Sequence, residues 1–405
     1  MTLETVLRPY ALPAATVWDR YRGPSDLVRR LLGAFPSAGR YLEIHPPAFV
    51  TYNAWVPAFL DIPACDFGLG LSPRLRSLVA HLASRSYGCS YSAAHAAVVG
   101  TLWQGPGGTL DANARSLDDA CSVFDARERA ALDVAAALSA VPDTLTRAHL
   151  DALAGHFTAA EAAALVDVAC GMGLLDRFMD TLGPKLEWPV LQRVEAALSP
   201  SGWRLDHHAP DSDEDPFESE LGPIPSGWSG LPSLLRDMAR AVCWESSALR
   251  GTPSGHRAVA RVLDTVLPAA PPWVTGRPRA AMRRVLTHAL VDRFARPPGP
   301  IPPTQRFLLG AVTAQGLDNR ALAQTFVGWA HHAGAHPVDI EAVLSGRAAA
   351  RDPLFALASL PRPPGDALVH ALAESRSPEA LIDGLLVIAL ATSFHRFARV
   401  HEIAG

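Results

Sequence analysis

The chain has 405 residues, 49% of them hydrophobic, and its 36 basic and 40 acidic residues leave a net charge of −4. That length suffices for two or three domains with substantial cores, and the dispersed arginines exclude a basic nucleic-acid-binding stripe. Ala, Leu, Arg and Pro are abundant while β-branched residues are sparse, which predicts an all-α protein.

In chain order, the opening Met1-Thr-Leu-Glu-Thr has neither the basic nor the apolar region of an export signal. Five cysteines, Cys65, Cys89, Cys121, Cys170 and Cys243, are scattered without paired spacing and read as free thiols in a reducing, cytoplasmic setting. Tyr52 and Trp55 lie in an apolar, Pro-bounded segment. A helix is expected from Leu71 to Ser84, followed by Gly88-Cys89-Ser-Tyr91-Ser92-Ala-Ala-His95. Helical residues three apart are neighbours on one face. Cys89, Ser92 and His95 thus form a row in which Ser92 bridges thiol and imidazole. A nearby imidazolium or a helix N-terminus lowers a thiol pKa, and histidine passes protons near neutrality. Cys89 is therefore expected to be the reactive sulfur and the fastest of the five to label, with His95 its acid–base partner. The bland alternative is a buried Cys and His that only pack.

Further along, Gln104-Gly-Pro-Gly-Gly108 lacks the Lys-Ser/Thr of a phosphate loop and reads as a turn. Residues 199–232 read as an acidic, Pro/Gly-rich linker. Asp211, Asp213 and Asp215 resemble a calcium loop, but Pro216 stands where glycine is needed. His207-His208 falls in this spacer and is expected to meet metal only adventitiously. Gly227-Trp-Ser229-Gly230 lacks the spacing of a serine-hydrolase elbow. His331, His332 and His336 form the densest histidine cluster, but Gly334 and Pro337 end the helix there, so no metal site is expected.

Residues 150–178 align without gaps on 369–397, each opening on a helix cap (Thr158 with Glu161; Ser377 with Pro378) and ending in Arg-Phe. A second match sets Pro73 opposite Pro303, Cys89 opposite Asn319, Ser92 opposite Leu322 and His95 opposite Thr325. The C-terminal copy thus lacks every element of the motif. The domains expected are 1–198 with the Cys/His motif, the linker, and 233–405 as a degenerate repeat. The apolar run from Gly384 to Phe394 is too short to cross a bilayer.

The Cys89–His95 stretch and the helix before it resemble the Cys-x-Tyr-Cys-x-x-His core of the alkylhydroperoxidase D-like / carboxymuconolactone decarboxylase superfamily. The resemblance implies two helical-bundle repeats forming a pseudo-dimer, a monomer or small homo-oligomer, no cofactor, and a pocket walled by Tyr52, Trp55 and Tyr91. It also marks two departures. Ser92 replaces the second family cysteine, and Ser77 stands where an acidic residue usually completes a proton relay. Neither an internal disulfide nor the carboxylate relay is therefore expected. The first functional reading is an oxidoreductase with one reactive cysteine, acting on a small hydrophobic substrate and reset by an external thiol. The alternative is a non-redox decarboxylase, lyase or isomerase working by proton transfer at His95. A third is a catalytically silent scaffold.

Overall fold

The computed structural model describes residues 1–62, 70–99, 123–211, 227–296 and 299–405, and among these it contains helices and no strand. The Gln104–Gly108 turn, Cys65, Cys121, Pro225 and the acidic tract after Asp211 lie outside the described residues.

The helices that place the site are α1 (Arg22–Leu32), α2 (Pro46–Leu60), α3 (Pro73–Tyr87), α4 (Ser90–Val99), α5 (Arg147–His156), α6 (Ala159–Leu182), α7 (Trp188–Leu198) and α8 (Gly227–Ala248). In the second half, α9 (Pro303–Gly316), α10 (Arg320–His332), α11 (Asp366–Ser375) and α12 (Pro378–Ala404) carry the core. Helix starts follow local chemistry. Thr158 and Glu161 make a reciprocal capping box at the head of α6, and Ser377 caps α12 with Pro378 at its first position. Such caps satisfy amides that have no partner in the first turn and contribute about 1 kcal/mol each.

The aligned segments start helices at the aligned residues. Pro73 and Pro303 open α3 and α9, Ser90 and Arg320 open α4 and α10, and Arg147 and Asp366 open α5 and α11. Helices α6 and α12 pack together at the centre. Ser393 donates to the Cys170 carbonyl at 2.8 Å, and Arg396 donates to Ala169 O at 2.7 Å and to Asp176 Oδ2 at 3.3 Å. One apolar cluster runs through both halves, from Leu3 to Val400.

By length and hydropathy α12 would pass as a membrane span, so the sequence expectation underrates it; its most apolar window is wholly buried inside the protein. A helix that is apolar all round and enclosed by neighbours is a core helix. Gly171 on α6 lets Phe59 lie against the helix: a Cβ there would fall 2.4 Å from the Phe59 ring. Trp55 on α2 donates its indole N–H to the Gly171 carbonyl at 3.2 Å, locking the same crossing.

Residues 199–211, expected as solvated spacer, are partly interior. Trp203 and His208 are buried, and Trp203 donates to the Ser90 carbonyl at 3.2 Å. Here aromatic burial outweighs the turn-forming composition. Helix α8 begins at Gly227 and packs on α1 with Leu234 and Met238 against Leu27 and Leu31.

Candidate active site at the N-terminus of α4

Cys89 is the residue that precedes α4, following Gly88 in the left-handed region (φ 102°). Its sulfur accepts from the Ser92 amide at 3.5 Å and donates to Ser92 Oγ at 3.2 Å. The predicted row therefore forms, but only its first link is a hydrogen bond. The His95 nitrogens are taken elsewhere: Nδ1 lies 3.1 Å from the Tyr91 carbonyl and Nε2 lies 2.8 Å from Glu187 Oε2. Both partners are acceptors, so the arrangement holds two protons on the ring, or one proton shared with Glu187.

Glu187 supplies the carboxylate that the motif lacks at Ser77. Its other oxygen accepts from the Tyr91 hydroxyl at 2.8 Å and from the Ser37 amide. Burial alone would raise its pKa, but His95 and the Ser37 N–H outweigh burial and hold Glu187 below the ordinary carboxylate value. The expectation of no carboxylate relay is thus corrected. Ser77 instead donates to the Ala96 carbonyl at 2.6 Å, stapling α3 to α4. Glu187 is 92 residues from His95 in sequence and reaches it because α6 stops at Gly183. Gly183 has φ 73°, and a Cβ on it would press on Thr2 at 3.0 Å, so glycine is required for that reversal.

The thiol is not activated as expected. Cys89 is fully buried, and burial together with Asp180 and Asp176 pushes its pKa well up despite the Ser92 contacts that oppose this. A thiolate there is disfavoured, because desolvation and two nearby carboxylates outweigh a helix N-terminus. His208, not His95, is the imidazole grouped with the sulfur. Cys89 Sγ, an Asp180 oxygen and a His208 nitrogen lie within 4.8 Å of one another. His208 donates from Nδ1 to the Pro184 carbonyl at 2.7 Å, while its buried Nε2 has no hydrogen-bond partner. His207 packs against it, the rings tilted by 39° at a centroid separation of 4.0 Å. This overturns the reading of the His-His pair as part of a solvated spacer.

A cavity of about 90 Å³ opens beside the motif, between α1, α2, α3, α4 and α6. Tyr52, Tyr91, Ser92 and His95 line it, among mostly apolar neighbours such as Val56 and Met172. Cys89 and Trp55 do not. Trp55 faces the core instead, fully buried against Gly171 and Phe394. On the cavity wall, the Tyr52 ring meets Phe178 at 6.2 Å. The histidines at 331, 332 and 336 are exposed at the far end of α10.

Sequence reasoning placed the motif but missed Glu187 and His208. The available signals were Gly183-Pro184 as a helix stop, with Glu187 heading the next helix, and two adjacent histidines four residues after an interior tryptophan.

No protein-family model matches the chain, and no curated protein matches it. Among solved structures the chain is similar to the debrominase Bmp8 in its apo form, with a TM-score of 0.40 and 19% identity over 47% of this chain and 96% of that one. It is also similar to a cysteine-to-alanine variant of that debrominase in complex with 2,3,4-tribromopyrrole, with a TM-score of 0.41 and 18% identity over 47% of this chain and 95% of that one.

Proposed function

We propose that this chain is a diverged, two-unit member of the alkylhydroperoxidase D-like / carboxymuconolactone decarboxylase superfamily, and an enzyme that moves a proton at a carbon next to a carbonyl. The observation that carries this reading is the buried His95–Glu187 pair, whose His95 lies on the wall of an apolar cavity that Cys89 does not line, with Glu187 bonded behind it. The pair exchanges one proton. Loaded, it acts as a general acid; having given that proton up, it accepts one from the substrate. Tyr91 and the Ser37 amide keep the carboxylate charged and oriented. Tyr52 and Ser92 supply hydroxyls for the substrate carbonyl, and the apolar lining suits a small, largely hydrophobic molecule. Dithiol cycling is disfavoured by Ser92, and the one-cysteine oxidoreductase by the raised pKa of Cys89.

The test is solvent deuterium incorporation into a panel of small lactones and cyclic enones, read by mass spectrometry. Wild type should exchange the carbon next to the carbonyl. His95→Ala and Glu187→Gln should lower the rate by about 100-fold or more, the usual range for a general acid–base. Cys89→Ala should stay within a few-fold of wild type. A Cys89→Ala protein that loses the reaction while Glu187→Gln keeps it would return the assignment to thiol chemistry.

A further inference from the structure

Cys89, Asp180 and His208 have no task in the proton transfer proposed above, yet they converge. All three are buried, from three separate parts of the chain: the residue before α4, the end of α6, and the turn Asp206–His208. We propose that these three side chains form a site for a divalent transition-metal cation of the zinc class.

The donor set is the first ground. A thiol, an imidazole and a carboxylate within 4.8 Å of one another match the ligands that zinc takes, whereas calcium and magnesium require oxygen donors throughout. The second ground is the state of His208. Its Nδ1 proton is committed to the Pro184 carbonyl at 2.7 Å, which places the lone pair on Nε2. That nitrogen is buried and unpartnered, and it faces Asp180 Oδ1 at 3.9 Å. An imidazole fixed through its other nitrogen by a carbonyl is how metal-bound histidines are held. A buried acceptor without a donor is destabilising, and a bound cation removes that cost.

Asp180 gives the third ground. Its carboxylate has the two imidazoles within 4 Å, His207 at 3.7 Å and His208 at 3.9 Å, both beyond hydrogen-bond distance. Two ligands on one tetrahedral zinc stand about 3.3 Å apart, given bonds of about 2.0–2.2 Å. The observed 3.9 Å closes by a sub-ångström side-chain shift. Binding is balanced by release of the Cys89 thiol proton to solvent as the sulfur–metal bond forms; nothing is oxidised or reduced. Three protein ligands leave one position open. Ser92 Oγ lies 3.2 Å from the sulfur, and Ser92 lines the cavity. His207 is not a ligand. Its Nε2 lies 3.2 Å from the Asp180 carbonyl, and at 31% side-chain exposure it covers the cluster from the solvent side.

The full-length protein, stripped with chelator and carrying Cys243→Ser to remove the exposed thiol, would be titrated with cobalt(II). One equivalent should bind, with a near-ultraviolet sulfur-to-cobalt band that zinc displaces. Cys89→Ser should abolish the band, and His208→Gln and Asp180→Asn should each weaken binding at least tenfold. His207→Gln should stay within about threefold. Glu187→Gln should bind metal like wild type while losing deuterium exchange, so the two proposals fail separately. The wild-type titration is decisive even if a variant does not fold: no equivalence point overturns the site. A band that persists in Cys89→Ser, or survives in both His208→Gln and Asp180→Asn, overturns it too.

Discussion

Cys89 and Asn319 stand at the same place in two matching helical hairpins, and the comparison separates what the backbone needs from what the chemistry needs. Each follows a residue of positive φ, Gly88 at 102° and Asp318 at 55°, and each caps the next helix. Each backbone amide also bonds back to an equivalent carbonyl, Ser84 or Ala314. Asn319 does the capping well, accepting from the Leu322 amide at 2.9 Å; the sulfur of Cys89 does it poorly at 3.5 Å. Backbone geometry alone would choose Asn. The difference continues down the helix, where Thr325 and His95 each face the carbonyl four residues back, but only His95 has a carboxylate beyond it. Helix α10 keeps a solvent face at Ala321, Gln324 and Gly328, while α4 is buried from Tyr91 to Val98. Besides α3 and α6, α4 packs against α1, α7 and the 206–208 turn. That cover brings Glu187 and His208.

The sharpest way to break this contrast is thiol labelling of the metal-free native protein. Exposed Cys243 should react faster than Cys89 by about 100-fold or more, because reaction at Cys89 requires local opening and a disfavoured thiolate. Peptide-resolved mass spectrometry at pH 7 would read it. Equal rates would mean that α4 is not covered as described.

Next in size is the pH dependence set by Asp176, which links α3 to the α6–α12 seam through Ser84 Oγ at 2.7 Å and Arg396. Burial raises its pKa from 3.8 to about 7, with Arg396 and Ser84 opposing. Below pH 3.8 the group is protonated folded and unfolded alike and contributes nothing. Between 3.8 and about 7 the unfolded chain has released a proton that the folded chain keeps, so this contribution lowers stability as pH rises. Above about 7 the cost is constant. Urea unfolding with chelator present should show Asp176→Asn flattening that decline between about pH 4 and 7. An unchanged slope would place the carboxylate in its ordinary range.

The smallest effect tests the caps directly. Asn319→Cys should cost about 0.5–1 kcal/mol, whereas Cys89→Asn in the metal-free protein should be neutral or stabilising by a similar amount. If both exchanges destabilise equally, the sulfur is a better cap than its 3.5 Å contact implies.

Much of the scaffold was legible because it is local. The caps at Thr158 and Ser377, the helix starts at Pro73 and Pro303, and the Cys89–Ser92–His95 row all follow from spacing within a turn or two. The partners were not legible, because they depend on where the chain returns. Glu187 meets His95 across 92 residues, and His208 meets Cys89 across 119 (208 − 89). Composition misled at 199–211, where polar and turn-forming residues concealed Trp203 and His208 as interior groups. Trp55 shows the opposite error. An aromatic beside a pocket helix looked like a pocket wall, but its N–H found the carbonyl of Gly171, where the missing side chain leaves room for a close crossing.

Lys185 is the chain's single lysine, and it donates to the His207 carbonyl at 3.1 Å at the outer edge of the site. A lysine-specific protease therefore has one place to cut. The cut leaves Cys89, Ser92, His95 and Asp180 on residues 1–185 and puts Glu187 and His208 on residues 186–405. Two fragments carrying complementary halves of one reaction centre make a split reporter, in which recovered chemistry measures reassembly of the core seam itself. The same amine offers one side-chain address for a fluorophore, next to the imidazole pair.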